Sequence, residues 1–177
     1  MKKTIILFTL ILFANLAFAQ TFQKGTNIIN AGIGLGGNLG GLGDSRPAIS
    51  ASFEHGKWDI GGPGVISIGG YIGNTGYSYK NVGYTQKWNY TIIGARGAYH
   101  YNGFKNVPDL DVYGGLMLSY NLVNYSADNY SGPNSYGSGL GLYAFVGGRW
   151  FFTEKIGAFA ELGHGISTLN VGVAIKL

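Results

Sequence analysis

The chain has 177 residues, 32 glycines, no cysteine, 15% aromatic residues and only 11% charged residues. The length suits one domain with a sizeable core, and the lack of cysteine excludes disulfide scaffolds, thiolate catalysis and cysteine-ligated metals. A formal charge of +4 is too small for a nucleic-acid-binding face, and 46% hydrophobic residues argue against disorder.

Residues 1–19 read as an export signal. Lys2 and Lys3 form a basic start, Ile5 to Phe13 an apolar run broken only by Thr9, and Ala17-Phe18-Ala19 a small-residue cleavage site before Gln20. The apolar run is too short to span roughly 30 Å of hydrocarbon, and no basic stop-transfer cluster follows. The expected mature chain, 20–177, has 158 residues, with 10 basic and 8 acidic side chains and a net charge of +2.

From Gln20 onward the pattern alternates with period two, the signature of strands. Eight such segments follow in chain order: 28–36, 48–54, 65–73, 90–101, 110–122, 140–152, 156–166 and 169–177. The clearest is 110–122, where Leu110, Val112, Leu116, Leu118, Tyr120 and Leu122 oppose Asp111, Tyr113, Gly115, Ser119 and Asn121. Residues 37–47, 74–88 and 123–138 read as long polar connections. Those near Gly61–Gly64, Asn102–Asp109 and Thr153–Lys155 read as short ones, and the last, near Ser167-Thr168, as tight. No capped stripe of period 3.6 appears, so no helix is expected.

Opposite the aliphatic face stand mainly Gly, Ser, Asn and Tyr, with about one charge per strand. A soluble sandwich or barrel would need a more charged outer face. A transmembrane barrel needs apolar residues toward lipid and small polar residues inside, and strands of about nine to eleven residues match the tilted span. Trp88, Tyr90, Tyr99, Tyr101, Trp150 and Phe152 collect at strand ends, as aromatic girdles do. Trp58 shares the parity of Glu54, so a bulge or an early turn is expected there. The expected fold is all-β: a closed, eight-stranded, antiparallel, up-and-down transmembrane β-barrel over 20–177. A secreted soluble β-domain is the competing architecture.

The segments Ile93-Gly94-Ala95-Arg96-Gly97-Ala98-Tyr99-His100, Tyr113-Gly114-Gly115-Leu116-Met117-Leu118-Ser119-Tyr120 and Phe159-Ala160-Glu161-Leu162-Gly163, with the closing strand Leu169–Leu177, carry a resemblance. Together with the export signal and the rhythm of long and short loops, the chain resembles the small eight-stranded outer-membrane barrels, OmpA-like and OmpX-like. The resemblance implies the bacterial outer membrane as location and its lipids as surroundings. It also implies periplasmic chaperones and the barrel-assembly machinery as partners during biogenesis. Members commonly end in an aromatic residue, and position 177 is leucine. No peptidoglycan-binding domain is expected, so the anchoring role of larger relatives does not carry over.

Six charged residues share the inward parity: Glu54, Arg96, Asp111, Arg149, Glu161 and Lys176, three acidic and three basic. The structural expectation is a paired network inside the barrel that holds the strands in register, with Glu161 bridging Arg149 or Arg96. Eight strands leave an interior just wide enough for side chains to fill. Tyr71, Tyr113, Tyr143, Phe145 and Phe159 also point inward, so a filled lumen is favoured over an ion-conducting one.

Other motifs carry less. Gly32 to Gly37 matches GxGxxG, but no helix follows to bind a pyrophosphate; room for large lumen neighbours explains those glycines better. The histidines lack the setting of a hydrolase: His55 and Glu54 point to opposite faces, His100 has no obvious serine partner, and His164 near Ser167 has no carboxylate. No G-x-S-x-G elbow occurs, and no metal-ligand spacing. No catalysis, cofactor or metal is expected. In the long connections, Tyr77, Tyr79, Lys80, Tyr84, Lys87 and Trp88, then Tyr125, Tyr130 and Tyr136, fit either solvated loops that tolerate variation or an adaptable surface for an extracellular ligand. The first is the default. The function expected is thus a structural or surface-display role, ahead of a small conduit for hydrophobic or ionic solutes and of a lipid-modifying enzyme.

Overall fold

The computed structural model describes residues 21–37, 44–82, 84–104, 106–127 and 137–177. The expected export signal, Gln20 and residues 128–136, which include Tyr130 and Tyr136, lie outside the described residues.

The described residues form eight strands: β1 (Asn27–Leu35), β2 (Asp44–Asp59), β3 (Gly64–Asn81), β4 (Tyr84–Tyr101), β5 (Leu110–Ala127), β6 (Gly139–Phe151), β7 (Ile156–Gly163) and β8 (Leu169–Lys176). Each pairs antiparallel with the next in sequence, and β1 pairs with β8, so the sheet closes into a barrel. Closure satisfies the backbone groups that an open edge would leave bare. Alternation then sorts the two faces. Isoleucines 49 and 72, leucines 116, 118, 140 and 142, and Val146 stand exposed on the outside, whereas Ile28, Ile92, Tyr113, Met117 and Phe145 are buried inside.

The strands β2 to β5 run well past the expected segments. The polar stretch 74–88 is not a long loop: β3 and β4 continue as a hairpin to the pair Asn81 and Tyr84, leaving two residues between them. β2 likewise begins at Asp44 and β5 continues to Ala127. Trp88 against Tyr125, with ring centres 5.2 Å apart, and Tyr77 against Tyr90, at 5.8 Å, supply the aromatic cross-strand pairs that stabilise a ladder. Beyond the apolar band neither face needs to be aliphatic, so polarity marks the end of that band and not the end of the strand. β7 is shorter than expected, ending at Gly163. The register of β2 against β3 slips between Gly56 and Trp58, and this bulge turns Trp58 outward, half exposed.

Residues 21–26 fold back across the barrel end that carries the short connections. Gly25 N–H donates to Gly56 O at 2.7 Å, Asn102 Nδ2 donates to Phe22 O at 2.7 Å, and the Thr21 hydroxyl donates to Pro108 O. Phe22 is thereby fully buried with Ile28, Val65, Phe151, Phe159 and Ala174.

Candidate functional site

The chemistry-bearing side chains inside the barrel gather around Arg149 on β6, which is completely buried. Its Nη1 donates to Asp111 Oδ2 at 2.6 Å, its Nη2 to Glu54 Oε2 at 2.7 Å, and its Nε to Asn30 Oδ1 at 3.0 Å. One guanidinium therefore joins β5, β2 and β1, while its plane lies 4.1 Å from the ring centre of Tyr113. The planar fork of arginine suits such divided recognition, because its donors point in fixed directions.

Arg96 on β4 forms the second node. Its Nη2 lies 2.6 Å from Glu161 Oε2 and 3.1 Å from Glu54 Oε1, and its guanidinium rests 3.8 Å from the ring centre of Phe145. The Tyr113 hydroxyl donates to the same Glu161 oxygen at 3.1 Å. Glu54 thus links both arginines, and Glu161 meets Arg96 and not Arg149. Register leaves Arg149 diagonal to Glu161, since Glu161 lies opposite Gly147 and Arg149 opposite Phe159, but the Arg149 nitrogens are already engaged by Asp111, Glu54 and Asn30.

Lys176 stands apart. Its Nζ donates to the backbone oxygen of Thr21 at 3.0 Å, at the end closed by residues 21–26. In its place the interior holds His100, fully buried on β4. His100 Nδ1 lies 2.9 Å from Asp111 Oδ1, and its Nε2 lies 3.0 Å from Ser67 Oγ and 3.4 Å from Glu54 Oε2. Three carboxylates are therefore grouped with two guanidiniums and an imidazole. The even count of three acids and three bases that included Lys176 does not describe this cluster.

His100 does have a serine partner, contrary to the sequence expectation. Ser67 sits on β3, thirty-three residues away, and register brings it beside Ala98 on β4. Ser67, His100 and Asp111 line up in the order of a hydrolytic triad. All three are sealed, however, with Ser67 1% exposed. The Phe22 ring stacks on His100 at 3.6 Å, within 5° of parallel, and Tyr113 flanks it at 5.4 Å. His55 instead contacts Asn27, with Nδ1 2.8 Å from Oδ1.

Asn30, Ser67, Tyr113 and Phe22 complete the cluster without having been singled out as partners of the charges. Asn30 carried a signal, since it shares the inward parity of β1. Phe22 carried none, because it precedes the first alternating segment. Glycines make room for the bulk of the cluster: a Cβ on Gly32 would come 2.7 Å from Phe159 Cζ, and one on Gly147 2.6 Å from Tyr113 Cζ. The GxGxxG stretch is the end of β1 and the two residues after it, and the next described element is the strand β2. Among the described residues, no group of three or more His, Asp or Glu side chains is disposed to hold a metal.

No family model matches the sequence, and no curated protein matches it. Solved structures do. The chain is similar to Ail, the attachment invasion locus protein of Yersinia pestis, whose structure was solved in complex with the heparin analogue sucrose octasulfate. The two are 13% identical over 87% of this chain and 96% of Ail, with a TM-score of 0.50. It is also similar to the N-terminal β-barrel domain of Pseudomonas aeruginosa OprF, at 15% identity over 88% of this chain and all of that domain, with a TM-score of 0.50. At these identities the likeness establishes the fold, that of an eight-stranded antiparallel barrel.

Proposed function

We propose that the protein is an integral barrel of the bacterial outer membrane with a structural and surface-display role, a lumen closed by its own side chains, and no catalysis. The observation that carries this reading is the inversion of polarity across the wall. Aliphatic side chains such as Leu140, 79% exposed, and Leu142, 70% exposed, stand outside, while Glu54, Asp111 and Arg149 are fully buried inside. In water that arrangement exposes an apolar belt and buries charge; in a bilayer the belt meets acyl chains. Outer-membrane lipids are then the surroundings, and chaperones with the assembly machinery the partners during biogenesis. The short connections and residues 21–26 face the periplasm, and the extended β2–β5 hairpins face outward from the cell.

The interior supports a closed lumen. The cavity beside Arg96 and Glu161 holds only about 20 Å³, room for about one water. The same packing argues against catalysis at Ser67, since a nucleophile must reach its substrate.

Cell fractionation tests location: the protein is expected with the outer membrane, and recovery as a soluble periplasmic protein overturns the reading. Planar-bilayer recording tests the lumen. The expected trace has no stable unitary steps, and reproducible steps would favour the solute conduit instead.

A further inference from the structure

The outward face of the β2–β5 wall changes character within two residues. Cross-strand register groups its positions into rows. Ala51, Ile72, Ile93 and Tyr120 form one row, and Ile49, Asn74, Thr91 and Leu122 the next. These end the apolar band. The following row is Arg46, Gly76, Asn89 and Asn124, and the one beyond it pairs Ser78, Lys87 and Ser126. Each row advances the wall by about 7 Å, two residues of strand, so the first cation stands directly beyond the last aliphatic side chains.

Arg46 and Lys87 line one open cleft of about 510 Å³ on this face, with Asn89, Asn124, Ser78 and Ser126. Arg46 is held in place there. Its Nη2 donates to Asn74 Oδ1, and Asn74 Nδ2 in turn donates to Asn89 Oδ1 at 2.7 Å and Thr91 Oγ1 at 2.8 Å. The guanidinium lies over Gly76, where a Cβ would come 3.0 Å from Arg46 Nε. Among the described residues neither Arg46 nor Lys87 forms an ion pair. Register pairs Asp44 with Ser78 and sets Lys80 one row further, so these rows hold three basic residues against one acidic one.

We propose that this cleft binds a phosphate of a phosphorylated glycolipid in the outer leaflet, with Arg46 as the oriented fork, Lys87 as the second charge, and the Asn and Ser side chains as supplementary donors. An arginine fork and a lysine point charge are the residues suited to phosphate. The lipid is favoured over a soluble anion because the cleft opens on the lipid-facing side of the wall, adjoining the apolar band, where acyl chains and headgroup can be met together. The inference rests on the membrane reading above.

The test uses the full mature protein reconstituted in bilayers and then examined in detergent by native mass spectrometry. Diphosphorylated lipid A, its dephosphorylated form and inorganic phosphate are the probes. Wild type is expected to retain the diphosphorylated lipid at least tenfold better than the dephosphorylated one, and the R46Q/K87Q variant to lose that preference while keeping its barrel circular-dichroism spectrum. Equal retention of the two lipids by wild type, or an undiminished preference in the variant, overturns the proposal. Displacement of the lipid by equimolar inorganic phosphate overturns the assignment to a lipid. Failure of wild type to insert into bilayers overturns the membrane reading and this proposal together, whereas normal insertion without lipid preference overturns this one alone.

Discussion

Arg96 and Glu161 meet at 2.6 Å across the barrel, although they stand on β4 and β7, which share no edge. Their contact spans the interior and adds a tie that neighbouring-strand hydrogen bonds cannot supply. Breaking a buried pair from one side typically costs about 3–5 kcal/mol, because the remaining charge stays buried. Glu161→Gln is expected near the lower end of that range, since Arg96 keeps Glu54 at 3.1 Å. Adding Arg96→Met should recover part of the loss, and adding Arg149→Met should not. Urea unfolding in lipid vesicles, read as two double-mutant cycles, checks both outcomes; coupling of Glu161 to Arg149 and not to Arg96 would contradict the structure.

Arg149 serves Asp111, Glu54 and Asn30 through three separate nitrogens. A lysine would keep the charge but present a single ammonium, which cannot point three ways at those distances. Arg149→Lys is therefore expected to destabilise the barrel by a few kcal/mol, within the about 3–5 kcal/mol of a broken buried pair. Arg149→Met should cost more, because it leaves two carboxylates without their main partner. Equal stability of wild type and the lysine variant would mean the fork geometry is irrelevant.

Phe22 makes a similar claim for the segment before β1. It is fully buried and stacked on His100. Phe22→Ala should cost about 3–5 kcal/mol, as other buried phenylalanine truncations do, and Phe22→Leu should cost less. The same alanine variant should increase amide exchange of Gly25 and Gly56, whose N–H groups bond across this closure. Unchanged exchange would mean that residues 21–26 are not held by Phe22.

The barrel was legible because two rules act on the same residues. Alternation names the two faces of each strand, and eight such strands with no helix leave few topologies. Strand ends were less legible: Tyr77, Tyr79, Thr85 and Trp88 resemble a loop in polarity, yet they pair as strand once the wall leaves the apolar band. Partners inside the ring were the least legible. Alternation assigns Glu161 to a face, but Arg96 and Arg149 share that face, and the choice between them depends on register and barrel closure. The pairing of Ser67 with His100 was hidden for the same reason, because it crosses two strands whose relative register no local pattern states.

Facial polarity can be tested at Leu116 and Val146, which are 57% and 54% exposed on the outer wall. An arginine on the lipid face near the midplane costs about 2–4 kcal/mol. Leu116→Arg and Val146→Arg should lower folding yield into vesicles or stability by that amount. Asn106→Arg, at an exposed position in a short connection, should have little effect. Equal tolerance at all three sites would mean that the outer wall faces water.

Gly147 and Gly148 are adjacent on β6 and face opposite sides of the wall. Neither has a positive φ, so the difference between them is one of space. A Cβ on Gly147 would come 2.6 Å from Tyr113 Cζ and 2.9 Å from the Ala160 oxygen, whereas one on Gly148 would meet nothing nearer than the Asp111 oxygen at 3.8 Å. Tyr113 cannot retreat freely, because its ring carries Arg149 and its hydroxyl donates to Glu161. Gly147→Ala is therefore expected to cost about 1–3 kcal/mol through overpacking. Gly148→Ala should be neutral or stabilising by about 0.5–1 kcal/mol, since alanine gives up less chain entropy in a strand. Matched urea titrations of the two variants decide the matter: equal effects would mean that Tyr113 does not fill the lumen beside Gly147.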